Sequence, residues 1–206
     1  MLEIEAKIKV DNLKVIKEKL LALGCQVEKD FYREWNAFFD FPDSHLTRNK
    51  QALRLRVVGK KAFLTFKGQP LKSRSFKIRE ELETEVKNLK HFKKILKKLG
   101  LKQIFEYRKK RMMLRKDKVK ICLDESEAGC FMELEGKRSD LVRLAKQLGY
   151  SRKDFLTADY VQMIKAVRGQ NYSSSSSNSS SSSTSNSSSN SSSSSSAPSS
   201  GSKSSS

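Results

Sequence analysis

Three stretches of the chain share one pattern, in which alternating polar and apolar positions precede apolar positions at helical spacing. The alternating stretches cover residues 2–10, 79–86 and 131–135, and a period of two predicts a strand in each. The helical stretch after each strand ends in Leu-Gly, with glycine at positions 24, 100 and 149. Glycine adopts the left-handed conformation that ends a helix at little cost, so the sequence predicts three strand–helix units.

Each of these predicted strands carries two glutamates separated by one residue. The pairs are Glu3 and Glu5, Glu81 and Glu83, and Glu133 and Glu135. Side chains alternate between the two faces of a strand, so each pair lies on one face and the opposite face is apolar. The helices have apolar stripes that can cover those apolar faces. We therefore expect the carboxylates to point away from the helices.

Five further stretches predict strands between these units. They are residues 31–41, which are rich in aromatic side chains, Ala52–Val58, Lys61–Lys67, residues 104–114 and residues 119–124. About eight strands and three or four helices indicate a mainly antiparallel α+β domain.

The composition changes near the C-terminus. From residue 173 onward, 26 of 34 residues are Ser. Such a segment buries too little apolar surface to offset its ordering entropy, so we assign residues 1–170 to the folded domain and residues 171–206 to a disordered Ser-rich tail. The chain has a net charge of +19, and only Lys203 of the tail is charged. The remaining +18 favours a polyanionic partner.

Several classes of protein are disfavoured. The sequence contains no run of 18 apolar residues, so it predicts no membrane span. The charged residues at the N-terminus do not resemble a signal peptide. The three cysteines, Cys25, Cys122 and Cys130, are too few for a disulfide scaffold or a zinc site. The strand register puts Cys122 and Cys130 on opposite faces, which disfavours a disulfide between them. We expect a cytoplasmic protein without membrane contact.

Basic side chains occupy the polar face of other strands. Arg54 and Arg56 share one face, Lys67 ends the next strand, and Lys109 and Arg111 share another. If the sheet closes, acidic and basic strands would face one cavity, and we expect them to occupy different sectors of its wall. Carboxylates hold Mg²⁺ or Mn²⁺, whereas Arg and Lys bind phosphate oxygens, so a triphosphate is a fitting occupant.

These motifs, in this order, resemble the CYTH superfamily of triphosphate tunnel metalloenzymes. The matching segments are Glu3-Ile4-Glu5-Ala6-Lys7, the Asn-Ala-Phe-Phe-Asp-Phe-Pro of residues 36–42, Ala52-Leu53-Arg54-Leu55-Arg56, Leu64-Thr65-Phe66-Lys67-Gly68, the Arg-Glu-Glu-Leu-Glu of residues 79–83, Lys109-Lys110-Arg111, Leu123-Asp124 and residues 129–135. The spacing is most similar to the class IV adenylyl cyclase-like branch. Phe38 and Phe41 depart from the usual Tyr and Thr, so two hydroxyl groups of the family pattern are absent.

The resemblance implies an eight-stranded antiparallel β-barrel tunnel with helices packed outside. It also implies roles for thirteen residues. Glu3, Glu5, Glu133 and Glu135 would bind Mg²⁺ or Mn²⁺, as two ions; Lys7, Arg54, Arg56, Lys67, Lys109 and Arg111 would bind the phosphates; and Lys7, Glu81, Glu83 and Asp124 would act in catalysis.

Three functions remain open at this point. The first is metal-dependent hydrolysis of a triphosphate: inorganic triphosphate, a nucleoside or thiamine triphosphate, or an RNA 5′-triphosphate. The second is a class IV adenylyl cyclase, which converts ATP to cyclic AMP and pyrophosphate. The third is a non-catalytic module that binds polyphosphate or RNA, which the three carboxylate pairs disfavour. We expect a monomer or a homodimer.

Overall fold

A computed structural model describes the backbone of residues 2–177 and the side chains of residues 2–169. Within that range the chain forms nine strands: β1 Leu2–Lys9, β2 Gln26–Asp40, β3 Ala52–Val58, β4 Lys61–Lys67, β5 Lys77–Glu85, β6 Lys102–Lys116, β7 Val119–Ser126, β8 Gly129–Glu135 and β9 Phe155–Leu156. The helices of the same range are α1 Leu13–Ala22, α2 His45–Arg48, α3 Leu89–Lys98, α4 Arg138–Gln147 and α5 Tyr160–Ser177.

The strands form one antiparallel sheet that closes on itself. Their order is β5-β4-β3-β2-β6-β7-β8-β1, with the short β9 added beside β1, and a further pairing of β1 with β5 completes the ring. The eight-stranded antiparallel barrel inferred from the sequence is therefore confirmed. Because side chains alternate along each strand, the barrel has one inward and one outward side-chain set.

The outward apolar set is covered by helices, as predicted. Ile16 and Leu20 of α1 and Leu141 and Leu144 of α4 pack in one core with the apolar residues of β1, β6, β7 and β8. Leu96 of α3 packs in a second core with residues of β2, β3 and β4. The glycines that follow α1, α3 and α4 all have φ between 80° and 90°, which confirms the left-handed helix ends.

Helix α5 occupies a different place from the one expected of an outer helix. Its Tyr160 and Ile164 form a third cluster with Tyr107 and Phe131, which belong to the inward set of β6 and β8. The N-terminal part of α5 therefore packs against the inner wall at one end of the barrel. The sequence contained no strand–helix pattern here that could have indicated this position.

Other differences from the expected elements concern boundaries. β2 begins at Gln26 rather than at residue 31, and it pairs with the long β6 through irregularities in register near Lys29 and Tyr32. The first residues of β2 are mostly polar and exposed, so they lack the alternation that marks a half-buried strand. The backbone of residues 171–177, the first part of the proposed tail, continues α5, whereas residues 178–206 lie outside the described residues, and their disorder stays a prediction.

The strand register also places the cysteines. Cys122 lies opposite Glu133 on the inward face, whereas Cys130 lies opposite Glu125 on the outward face. Both are free, as is Cys25, so the expected absence of a Cys122–Cys130 disulfide agrees with the structure. Among the described residues, no helix is both long and apolar enough to cross a membrane.

Candidate functional site

The barrel encloses a cavity of about 1280 Å³, and the charged inward faces of the strands line it. Twelve of the thirteen site residues expected from the sequence line this cavity: Glu3, Glu5, Lys7, Arg54, Arg56, Lys67, Glu81, Glu83, Lys109, Arg111, Glu133 and Glu135. The thirteenth, Asp124, lies on the same face but is fully buried behind its ion-pair partners. The fold thus brings together residues that are up to 132 positions apart in the chain, such as Glu3 and Glu135.

The three strands that carry the Glu-x-Glu pairs, β8, β1 and β5, are adjacent in the closed sheet, and the basic strands β4, β3 and β6 lie in the other part of the ring, so the expected separation of acidic and basic strands into sectors is confirmed. Individual cations still pair with carboxylates, and Lys7 does so within the acidic sector, since its Nζ lies 3.5 Å from Glu5 Oε1 and 3.3 Å from Glu133 Oε1. Burial by itself would lower the pKa of Lys7, but the two carboxylates raise it above its ordinary value. Such pairing is expected because a buried charge loses its hydration and therefore requires a close partner of opposite charge.

A second set of ion pairs joins β3, β4 and β5. Lys67 Nζ donates to Glu81 Oε1 at 2.5 Å, and Arg79 Nε donates to the same oxygen at 3.0 Å. Arg56 Nη2 donates to Glu83 Oε1 at 2.7 Å. Burial, Arg54 and Arg79 lower the pKa of Lys67 to about 7. An incoming polyanion would therefore find these cations already held in place by carboxylates.

Thr65, on the same wall, has a hydroxyl group with hydrogen-bond partners on both sides. Its hydroxyl accepts a hydrogen bond from Arg54 Nη2 at 3.2 Å and donates one to Glu83 Oε2 at 2.6 Å. Thr65 is therefore paired on both sides although it is buried.

Asp124 is the centre of a third network. Its carboxylate accepts hydrogen bonds from Lys109 Nζ at 2.9 Å, Arg111 Nε at 2.6 Å and the hydroxyl of Tyr160 at 2.8 Å. Arg111 also donates to Glu133. Since Asp124 has no exposed surface and three donors, its geometry suits the positioning of cations rather than proton transfer to a ligand.

Glu3 differs from the other wall carboxylates. Burial and the nearby charges of Glu135 and Glu81 raise its pKa to about 8. Glu5 adds a buried Oε1 that accepts no hydrogen bond and has Lys7 Nζ as an ion-pair contact at 3.5 Å. Glu3 is crowded by other carboxylates, and a divalent cation with oxygen preference would supply positive charge beside it. The donor set on β1 and β8 therefore fits Mg²⁺ or Mn²⁺.

Cys122 lies beside this donor set. Its Sγ and the carboxylate oxygens of Glu133 and Glu135 lie within 4.8 Å of one another. Burial raises the pKa of the Cys122 thiol to about 12, so the thiol is neutral at ordinary pH. The described side chains thus contain one further donor near the expected metal ligands that the sequence pattern did not single out.

Sequence reasoning also missed Glu34, Asn36 and Tyr160. Glu34 is buried among Arg56 and Lys109, and Tyr160 lies beneath Lys7 and Lys109, whose Nζ atoms are 4.3 Å and 4.7 Å from its ring centre. Glu34, Asn36 and Phe38 are two positions apart and therefore lie on one face of β2. This alternation was the signal that could have placed Glu34 and Asn36 on the inner wall. Tyr160 is the first residue of α5, a helix that no sequence pattern predicted, so no comparable signal existed.

Comparison with known proteins agrees with this architecture. The model of the CYTH domain family matches residues 1–158, and the chain therefore belongs to the CYTH domain family. A putative adenylate cyclase of Methanocaldococcus jannaschii is 29% identical over 174 residues, which is 79% of this chain and 98% of the relative.

Solved structures show the same fold. A putative adenylate cyclase of Vibrio parahaemolyticus superposes with a TM-score of 0.71 at 23% identity, covering 80% of this chain and 98% of that one. A putative adenylyl cyclase of Hippeastrum, described as having a dominant triphosphatase activity, superposes with a TM-score of 0.61 at 18% identity, covering 80% of this chain and 95% of that one. At these identities the likeness concerns the fold.

Proposed function

We propose that this protein is a divalent-metal-dependent hydrolase that acts on a triphosphate inside the barrel. The observation that carries the proposal is the wall itself, in which a sector of carboxylate-bearing strands and a sector of basic strands face one closed cavity and are joined by ion pairs. A module that only binds a polyanion needs the cations, whereas the carboxylates would repel its ligand. Membership of the CYTH family and the activity described for the Hippeastrum protein support the same conclusion.

The cationic side chains of the cavity would bind the phosphate chain. Arg54 and Arg56 present planar guanidinium groups that can donate two parallel hydrogen bonds to phosphate oxygens. Lys7, Lys67, Lys109 and Arg111 add charge from three other strands. Because carboxylates already hold these side chains, little side-chain entropy is lost when the ligand binds.

Glu3, Glu5, Glu133 and Glu135 are the residues that would hold the metal. When bound, a divalent cation supplies charge that offsets the charge developing on the phosphoryl oxygens. Glu133 is kept ionised for this role: burial would raise its pKa, but Lys7, Lys109 and Arg111 hold that pKa well below its usual range. The Glu3 carboxyl would lose its proton on metal binding, since its pKa is about 8 without metal.

Hydrolysis requires a water that is oriented toward the terminal phosphorus and a group that receives its proton. Glu81 and Glu83 remain anionic at neutral pH, since burial raises their pKa values less than their cationic partners lower them. Their carboxylate oxygens can accept a hydrogen bond from that water, orient it and receive its proton as the water oxygen bonds to the terminal phosphorus and the diphosphate part of the substrate leaves. Positioning and charge stabilisation supply most of the catalysis of phosphoryl transfer.

Adenylyl cyclase activity is the second candidate, because the relative from Methanocaldococcus jannaschii carries that name. In that reaction the ribose 3′-hydroxyl attacks the α-phosphorus and pyrophosphate leaves. The same cations would bind the triphosphate, so the two reactions differ in the nucleophile that the wall presents.

Product analysis distinguishes these reactions. The purified chain is incubated with Mg²⁺ or Mn²⁺ and with inorganic triphosphate, ATP or thiamine triphosphate, and the products are separated by anion exchange. We expect orthophosphate together with pyrophosphate, ADP or thiamine diphosphate from the respective substrates, and no products in the presence of a chelator. Cyclic AMP with pyrophosphate would select the cyclase, and binding without turnover of any triphosphate would contradict both enzymes.

A further inference from the structure

A group of buried polar atoms without hydrogen bonds lies on the inner wall formed by β2 and β3. Six such side-chain atoms occur among the described residues, and five belong to this wall: Glu34 Oε2, Asn36 Nδ2, Asn36 Oδ1, Arg54 Nε and Arg56 Nε. Glu34 Oε2 has a longer-range partner, since Lys109 Nζ lies 3.8 Å away. The two polar atoms of Asn36 have no partner of either kind.

The strand register places Asn36 at the centre of this group. Asn36 lies directly opposite Arg56 on β3 and directly opposite Tyr107 on β6. Arg54 lies opposite Phe38, two positions further along the same inward face. Asn36 therefore lies beside Arg56, with Arg54 one inward position further along β3; Asn36 is fully buried, and both arginines line the cavity.

An amide in this position is unfavourable for stability. A buried polar group that lacks a hydrogen bond costs free energy, which is why nearly all such groups in proteins are paired. An isosteric apolar side chain would avoid that cost. The neighbouring Thr65 shows the ordinary arrangement, because its buried hydroxyl pairs with both Arg54 and Glu83.

We propose that Asn36, with the Nε atoms of Arg54 and Arg56, forms a subsite for one phosphate oxygen of the bound triphosphate. The three N–H groups are donors and fit an oxyanion, and Glu34 keeps Arg56 and Lys109 beside it. Arg56 lies opposite Asn36, and its Nη1 has a long 3.4 Å contact to Glu34 while its Nη2 donates to Glu83 at 2.7 Å, so a phosphate that draws Arg56 away from Asn36 must replace these two contacts. This inference rests on the proposed function, because it takes the ligand to be a triphosphate.

The experiment compares three variants of the full chain. Asn36→Leu removes the amide at nearly constant volume, and Asn36→Asp keeps the shape but replaces the donor with an anion. Thr65→Val is the matched control, since it removes a buried polar group that is fully paired. Unliganded stability is measured by thermal melting, and the dissociation constant of inorganic triphosphate is measured by calorimetry with and without Mn²⁺.

We expect Asn36→Leu to melt at or above the temperature of the parent, whereas Thr65→Val melts lower because it removes one hydrogen bond to Arg54 and one to Glu83. We expect Asn36→Leu to bind triphosphate about tenfold to a hundredfold more weakly, which corresponds to one hydrogen bond to a charged group. Asn36→Asp should fold, since Arg56 lies opposite it, and should bind at least as weakly as the leucine variant.

The alternative occupant is a fixed structural water, and the same measurements identify it. Asn36→Leu would then lose unliganded stability as Thr65→Val does, and it would bind triphosphate like the parent. If Asn36→Leu fails to fold, parent-like affinity of Asn36→Asp would overturn the inference. Parent-like affinity of both variants refutes the subsite and leaves the proposed function standing. A parent that binds no triphosphate under either condition refutes both.

Discussion

Single residues of the inner wall are held by opposing charges, and Glu34 illustrates the balance. Only 1% of its surface is exposed, and its carboxylate lies beside Arg56 and Lys109. Burial alone would raise the pKa of Glu34, but Lys109, Arg111 and Arg56 lower it to about 2. The ionised carboxylate of Glu34 therefore stabilises the folded structure.

The Glu34→Gln variant should lose stability in a pH-dependent way. A carboxyl group with a lowered folded pKa stabilises the fold above its ordinary value of 4.5, and this contribution is lost as the pH falls toward about 2. We expect a loss on the order of 3 kcal/mol near neutral pH that diminishes below pH 4.5. Urea unfolding of parent and variant across pH measures it.

Glu28→Gln is the control for that series, because Glu28 forms an exposed ion pair with Arg115. Exposed pairs contribute less than about 1 kcal/mol, so its effect should be small at every pH. A Glu34→Gln effect as small as that of Glu28→Gln would contradict the charge network of the wall.

Tyr160 provides a second test at this scale. Its hydroxyl donates to Asp124, and its ring lies beneath Lys7 and Lys109. Tyr160→Phe keeps the ring and removes one hydrogen bond to a buried anion, so we expect a loss of about 1.5–3 kcal/mol in unfolding free energy. Tyr150→Phe serves as the control, since Tyr150 is only half-buried. Equal effects of the two substitutions would argue against the Asp124 contact.

At the level of elements, α5 is the helix that packs against the inner face of the sheet. Ile164 is fully buried in the aromatic cluster with Tyr107 and Phe131, and these residues come from the inner face of the sheet. The outer helices α1, α3 and α4 were predicted from apolar spacing and their glycine ends. The position of α5 was not predicted, because packing against the inner face depends on how the closed sheet is arranged.

Ile164→Ala should therefore be costly. A truncation in a packed core removes burial and leaves a cavity, which costs about 2–5 kcal/mol. Val15→Ala on α1 is the control, because Val15 is 45% exposed and should change stability by much less. Chemical denaturation of both variants measures the difference. A cost for Ile164→Ala no larger than that for Val15→Ala would show that α5 does not pack into the barrel end.

At the level of the whole molecule, much of the fold and of the site could be predicted from the sequence. The Glu-x-Glu pairs and the basic strands repeat a period of two, so the charged face of each strand could be identified from the alternation alone. Pairing across strands could not be predicted, since Lys7–Glu133 and Arg111–Asp124 depend on the closed register. Asn36 was missed for a similar reason: its unpaired state is visible only when every neighbour is in place.

The central claim is that the inner wall binds a metal ion together with a triphosphate, and thermal melting with both ligands tests it most directly. Binding to the folded state alone stabilises by about 2.7 kcal/mol at a ligand concentration 100 times the dissociation constant. For a domain of this size we expect the parent to melt about 5–10 °C higher with Mn²⁺ and inorganic triphosphate.

The Glu133→Gln, Glu135→Gln double variant completes this measurement. Amides are poor ligands for hard cations, so we expect the variant to lose most of the metal-dependent part of the shift while it still folds. A double variant that retains the full shift would contradict the assignment of these glutamates, and a parent without any shift would contradict the triphosphate site itself.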